Sequence, residues 1–182
     1  MNKDPDARLV LACRNGDRVA YETLLGRYER PIYNIALRML RNPEDARDVV
    51  QIVFVRVFEK LHQFDFEHKF YSWIYRIAIN ESIDILNGRS REAPLEDEGD
   101  LAFERTPLEE CDDAERGGAL QAAIMSLAPD YRAVIVLRHF VDRSYQEMAE
   151  ILGIPEKTVK SRLFTARQLL RDRLEADGIG GA

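Results

Sequence analysis

Residues Ser144 to Arg173, SYQEMAEILGIPEKTVKSRLFTARQLLRDR, read as two helices around a tight turn, the second lined with positive charge. Ser144 can cap the first helix. Glu147, three residues on, has the spacing to return a bond to the cap's own amide. Gly153 permits the turn, and Pro155 fits the first turn of the next helix, where a missing amide hydrogen costs nothing. At 100° per residue, Leu163, Ala166 and Leu170 fall within about 40° of Val159, a stripe that packs on the first helix. Lys157, Lys160, Arg167 and Arg171 fall between about 80° and 160° on the same wheel, so one flank presents cations while another is buried. That is the shape of a helix set into a DNA groove. A solvated basic face is the plainer account of the charge alone; turn, caps and stripe together favour DNA.

A chain of 182 residues can form one ordinary domain or two small helical ones, and the charge distribution favours two. The net charge is −6, yet Glu92 to Arg116 holds eleven acids against two bases, so that segment carries −9 and the remainder +3. Like-charge runs, Pro94, Pro107 and a closing Gly117-Gly118 disfavour a packed core there and predict a linker over 92–117. The segment is either a solvated loop or an acidic mimic of nucleic acid that shields a basic surface. The expected units are 1–91 and 118–175, with a disordered tail at 176–182.

Polar residues interrupt every apolar run before a membrane-spanning length, and MNKDPDARLV has no apolar signal core. A cytoplasmic protein without direct membrane insertion is expected. Cys13 and Cys111 form no ligand pair and His62, His68 and His139 show no metal spacing, so no metal or cofactor is expected.

In the first unit, Asp17 to Arg41 carries apolar residues at helical spacing from Tyr21 to Leu40, with Pro31 expected to bend or divide the run. After a restart at Asn42-Pro43, Ala46, Val49, Val50, Val53, Phe54, Val57, Phe58 and Leu61 form a broad apolar face. Valine favours strands, but the spacing is helical and alternation is absent. The segment Lys69 to Asn87 gathers Phe70, Tyr71, Trp73 and Tyr75, while Arg76, Asn80, Asp84 and Asn87 share one polar stripe with Trp73 beside it. Aromatic rings next to amides and an arginine suit unpaired bases, which stack on rings and offer exposed edges. Most of these aromatics are also suited to a helical core.

Taken together the segments resemble the extracytoplasmic-function group of bacterial RNA polymerase sigma factors, over about Ala12 to Arg91 and Gly118 to Leu174. The resemblance implies an all-α protein of two small helical domains, the second containing a helix-turn-helix. It also implies binding to core RNA polymerase (beta-prime clamp and beta flap) and to promoter DNA, melted at the minus-ten element and duplex at the minus-thirty-five element. Pro43 to Gln51 resembles the clamp-binding helix, with Glu44, Asp45, Asp48 and Gln51 as contacts. Arg47 stands where relatives usually carry an acid.

Phe64, Phe66, Phe70, Trp73 and the helix through Asn80 and Asp84 resemble the part that opens and reads minus-ten DNA. The expected contacts there are Phe66, Trp73, Tyr75, Arg76, Asn80 and Asp84. Asn87 replaces a frequent arginine or lysine, which shifts backbone affinity toward Arg89 and Arg91. Leu127 to Arg132 and Val134 to Arg138 resemble the leading helices of the second domain. For duplex DNA the expected contacts are Lys157, Thr158, Lys160, Ser161, Arg162 and Arg167. Lys157 replaces a common glycine and Thr165 a common arginine, two changes that partly cancel.

The implied function is promoter recognition and melting for a stress or envelope regulon, with an anti-sigma factor as a further partner that can hold the protein near the inner membrane. A conventional helix-turn-helix regulator, dimeric on two-fold operators, is the alternative of another class. It would not need the aromatic and amide stripe. An enzyme finds little support: there is no Gly-rich phosphate loop and no nucleophile with a base.

Overall fold

The computed structural model describes residues 4–92 and 114–178, and every element among them is helical. In the first unit α1 (Ala7–Arg14), α2 (Arg18–Leu40), α3 (Pro43–Lys60) and α4 (Phe70–Glu92) pack around one another. The second unit consists of α5 (Ala114–Ser126), α6 (Pro129–Ile135), α7 (Tyr145–Leu152) and α8 (Glu156–Ala176), with a π-helical turn over Val136–Phe140 prolonging α6. Helix enters the acidic span from both sides: α4 runs to Glu92, and α5 opens at Ala114 and takes in Gly117 and Gly118. The proposed mimicry of nucleic acid falls on 93–113, outside the described residues.

Side chains that the sequence places at helix starts supply the missing acceptors. Asp17 accepts from Ala20 N–H at the head of α2, and Asn42 accepts from Glu44 and Asp45 N–H ahead of Pro43 in α3. Each cap is worth ~1 kcal/mol. Pro31 does not divide α2, which is one 23-residue helix. A proline deprives the carbonyl four residues back of its donor, but Tyr28, Ile32 and Ile35 are buried on both sides of the ring and hold the helix through. Helix α1 had no expectation attached to it. Its anchor is an acidic pair just upstream: Asp4 accepts from Phe70 N–H at 2.8 Å, and buried Asp6 takes Arg27 and the Tyr28 hydroxyl. The start of the chain thereby fixes the start of α4.

Phe58 departs from its expected place in the core, being 70% exposed, since α2 begins too late to cover the end of α3 beyond an edge contact from Tyr21. Tyr28 and Phe70 lie at the centre, ring centroids 5.3 Å apart. Fully burying such a side chain contributes about 1.5–3 kcal/mol.

Burial first, then the hydrogen bond to Asp6, pushes the Tyr28 hydroxyl far above its usual range; burial also raises Tyr21, Tyr71 and Tyr75. In the unfolded chain these phenols titrate near about 10. The folded state therefore holds more protons above that pH, and stability falls as pH rises through it. A spectroscopic tyrosinate titration should show four of the seven tyrosines lagging behind the free-phenol curve until alkaline unfolding releases them together.

Candidate nucleic-acid interface

Helix α7 opens with the expected capping box: Glu147 N–H donates to Ser144 Oγ at 3.2 Å, and Ser144 N–H donates to the Glu147 carboxylate at 2.8 Å. Gly153 ends it in the left-handed conformation at φ 66°, a geometry a side chain would resist. Pro155 sits one position earlier than the sequence suggested, as the residue before α8, where its carbonyl accepts from Thr158 and Val159 N–H. Val159, Leu163 and Ala166 are buried with Met148 and Ile151, so the stripe packs as its spacing predicts.

The opposite flank of α8 faces solvent. Lys157, Lys160, Ser161, Arg167 and Arg171 are all exposed, and Thr158 is half-buried. Lys160 pairs with Glu156 at 2.6 Å, and that bond raises its pKa. Arg167 donates toward His139 at 3.3 Å. Burial, then the charges of Arg167 and Arg138, lowers the His139 imidazole and keeps it neutral beside the basic flank. Arg162 does not join this flank: it turns toward α6 and pairs with Asp130 at 2.9 Å. Phe164, unremarked in the sequence, is 66% exposed and stands among the cations, 140° from Val159 by the same wheel. Its signal was legible, since a phenylalanine on the charged side of an amphipathic wheel has no core to enter.

On α4 the spacing of Trp73, Arg76, Asn80, Asp84 and Asn87 puts all five on one side, and Arg76, Asn80, Asp84 and Asn87 are exposed. Trp73 is half-buried against Phe64 and Phe70, at 5.4 and 5.8 Å between ring centroids. Phe66 stacks edge-on against Phe64, under the Arg14 guanidinium at 4.6 Å. Arg14 is itself held by the Leu61 and Phe64 carbonyls. Tyr75 is not available to a base. At 7% exposure it packs against Tyr28 and Tyr71, because two residues along a helix from Trp73 lies on the other side. Arg76 is engaged elsewhere: Nε donates to the Ile151 carbonyl at 3.0 Å and Nη2 to the Glu150 carbonyl.

Along α3, Glu44, Asp48 and Gln51 are exposed, whereas Asp45 turns to α4 and pairs with Arg89. The exposed line continues through apolar residues the sequence reading had not assigned to a surface. Ile52, Val55 and Phe58 are 37%, 57% and 70% exposed, and Glu44, Asp48, Gln51, Val55 and Phe58 fit within about 80° of a wheel.

The Sigma-70 region 2 family matches residues 24–92 and the Sigma-70, region 4 family matches residues 117–170. The ECF RNA polymerase sigma factor SigW of Bacillus subtilis is 33% identical over 88% of this chain and 92% of its own length. The RNA polymerase sigma-H factor of Pseudomonas aeruginosa is 30% identical over 96% of both. The chain is an extracytoplasmic-function sigma factor. Among solved structures, CnrH in complex with the cytosolic domain of CnrY superimposes at a TM-score of 0.73 over 96% of this chain and 99% of that one, at 27% identity. The sigma factor RpoE of Bartonella quintana, in complex with the anti-sigma factor NepR, shares the fold at a TM-score of 0.68 and 23% identity, over 86% and 98%.

As a sigma factor the protein is a non-catalytic polymerase subunit that directs core RNA polymerase to promoters, and α1–α4 and α5–α8 hold its region 2 and region 4. No helix among the described residues is long and apolar enough to cross a membrane.

Proposed function

We propose a division of labour among three exposed surfaces of this sigma factor. The α3 line of Glu44, Asp48, Gln51, Ile52, Val55 and Phe58 binds the beta-prime clamp. The α4 stripe of Trp73, Arg76, Asn80 and Asp84 takes the melted minus-ten strand: the indole stacks on an unpaired base and the amide bonds its edge, against an unstacking cost of a few kcal/mol. The α8 flank of Lys157, Lys160, Ser161 and Arg167 holds the minus-thirty-five duplex, with Phe164 placed to meet a thymine methyl group. The units doing this work are residues 1–91 and 118–175, joined through 92–117 and followed by a tail at 176–182. The beta flap binds the second unit, and an anti-sigma factor restrains the whole; the related RpoE of Bartonella quintana is seen in complex with the anti-sigma factor NepR.

The observation that carries this reading is the coexistence of a half-buried indole beside exposed amide and carboxylate groups on α4 with a separate exposed cationic flank on α8. A protein that reads only duplex has no use for the first. Lys160→Ala tests the second. Holoenzyme binding to duplex promoter should weaken, with a salt-dependence slope shallower by about one. Binding to a pre-melted template that lacks the upstream element should not change. Equal loss on both templates would overturn the assignment.

A further inference from the structure

The strand-reading face of this sigma factor is fastened by residues that precede the region 2 match, which begins at residue 24. Between α3 and α4 the chain runs from Leu61 to Phe70 with little structure of its own: a 3-10 turn over Leu61–Gln63, then Asp65 accepting from the Glu67 and His68 amides. Phe64 and Phe66 stand in this stretch, and Trp73 follows three residues after it. Both of its ends are tied to the N-terminal segment. At the entry Arg14 Nε donates to the Leu61 carbonyl at 2.9 Å and Nη2 to the Phe64 carbonyl, with the same guanidinium 4.6 Å from the Phe66 ring centroid. At the exit buried Asp4 accepts from Phe70 N–H at 2.8 Å through one oxygen and from Asp6 N–H at 3.1 Å through the other.

Each tie answers a need that the local sequence leaves open. The residue ahead of α4 is Lys69, whose side chain only donates, so the Phe70 amide takes its acceptor from 66 residues upstream. A guanidinium is a rigid fork that can hold two carbonyls and lay its flat face on a ring at the same time. Asp6 anchors the segment in turn: its carboxylate, 1% exposed, takes Arg27 and the Tyr28 hydroxyl, and the Tyr28 ring packs on Phe70 and Tyr75 at 5.3 and 6.1 Å. The rings held this way are the neighbours of the indole. Phe64 lies 5.4 Å from both Phe66 and Trp73, and Phe70 lies 5.8 Å from Trp73. A shift of about 0.5 Å is enough to misplace a group that must meet its ligand in one geometry.

We propose that residues 4–14 form a brace for the minus-ten strand site, with Arg14 and Asp4 as positioning residues that set the Phe66 loop and the first turn of α4 in register with Trp73. The role in recognition rests on the strand assignment made above; the brace itself does not. Neither residue touches DNA. Each raises the fraction of chains whose rings already stand where an unpaired base can enter, and apparent affinity scales with that fraction.

Trp73 is the single tryptophan of the chain, so acrylamide quenching of its fluorescence in the free full-length protein reads the brace directly. Arg14→Lys keeps the charge but loses the fork, and Asp4→Asn offers one oxygen where two N–H groups need acceptors. Each should raise the quenching constant about two-fold and weaken holoenzyme binding to a template pre-melted over the minus-ten element by about five- to ten-fold. Association with core polymerase and binding to a minus-thirty-five duplex should stay at the wild-type level. Ile35→Val, a core change on α2, is the control for stability: at a matched fall in thermal midpoint it should leave quenching and strand binding alone. Unchanged quenching in both brace variants overturns the brace, as do equal effects in Ile35→Val. Raised quenching with unchanged strand binding overturns its role in recognition, and Trp73→Ala on the same template locates the fault. Loss of binding there faults the brace, whereas retained binding faults the strand assignment.

Discussion

Trp73→Ala lowers the yield of open promoter complex by about five- to a hundred-and-fifty-fold while association with core polymerase stays at the wild-type level. The magnitude follows from base stacking on an aromatic side chain, ~1–3 kcal/mol per base. Its direction follows from the position of Trp73, which shares a side of α4 with exposed Asn80 and Asp84 and lies on a different helix from the α3 surface. Part of the indole is packed on Phe64 and Phe70, so the variant also loses stability. Two readouts separate the effects. A thermal melt reports the packing loss, and a template already opened over the minus-ten element reports strand capture in a folded protein. A loss of polymerase association equal to the loss of opening would sink the separation between α3 and α4.

The second large effect belongs to Phe58. A side chain 70% exposed, with one edge contact to Tyr21, adds little to folding. At the centre of an interface an aromatic anchor is worth about 2 kcal/mol or more, which is about thirty-fold in affinity. Phe58→Asp should therefore weaken core polymerase binding by about thirty-fold in competition against a reference sigma factor, with an unchanged thermal midpoint. An unchanged affinity would remove the apolar end of α3 from the clamp surface and leave Glu44, Asp48 and Gln51 as its whole extent.

The helix-turn-helix was the most legible part of the molecule, because three kinds of signal agreed there. Ser144 and Glu147 closed a capping box, Gly153 took a left-handed turn, and the Val159, Leu163, Ala166 stripe went inward. The first unit was legible in its helices and less so in its surfaces. Periodicity tells which residues share a side of a helix; it does not tell how far a neighbour extends to cover them. Phe58 continues an apolar face past the point where α2 begins, and Tyr75 belongs to a cluster of aromatics that a helix divides between core and surface.

The misplacement of Arg162 has a similar cause. A run of cations invites a common role, but 100° per residue separates Arg162 from Lys160 and Arg167 and hands it to Asp130. Contacts between the two units left no trace in the pattern. Arginines aimed at main-chain oxygens supply much of them, and such acceptors exist at every position.

That choice of acceptor has a consequence for how the sequence can drift. Arg14, Arg76 and Arg132 end on the carbonyls of Leu61, Phe64, Glu150, Ile151, Met39, Met125 and Leu127, oxygens that survive any substitution that preserves the backbone path. An ion pair can be lost by a change at either partner, whereas each of these joints has a single vulnerable end. Tolerance in a saturation library should be lopsided accordingly, narrow at three guanidinium positions and broad at the seven residues that receive them, wherever packing permits.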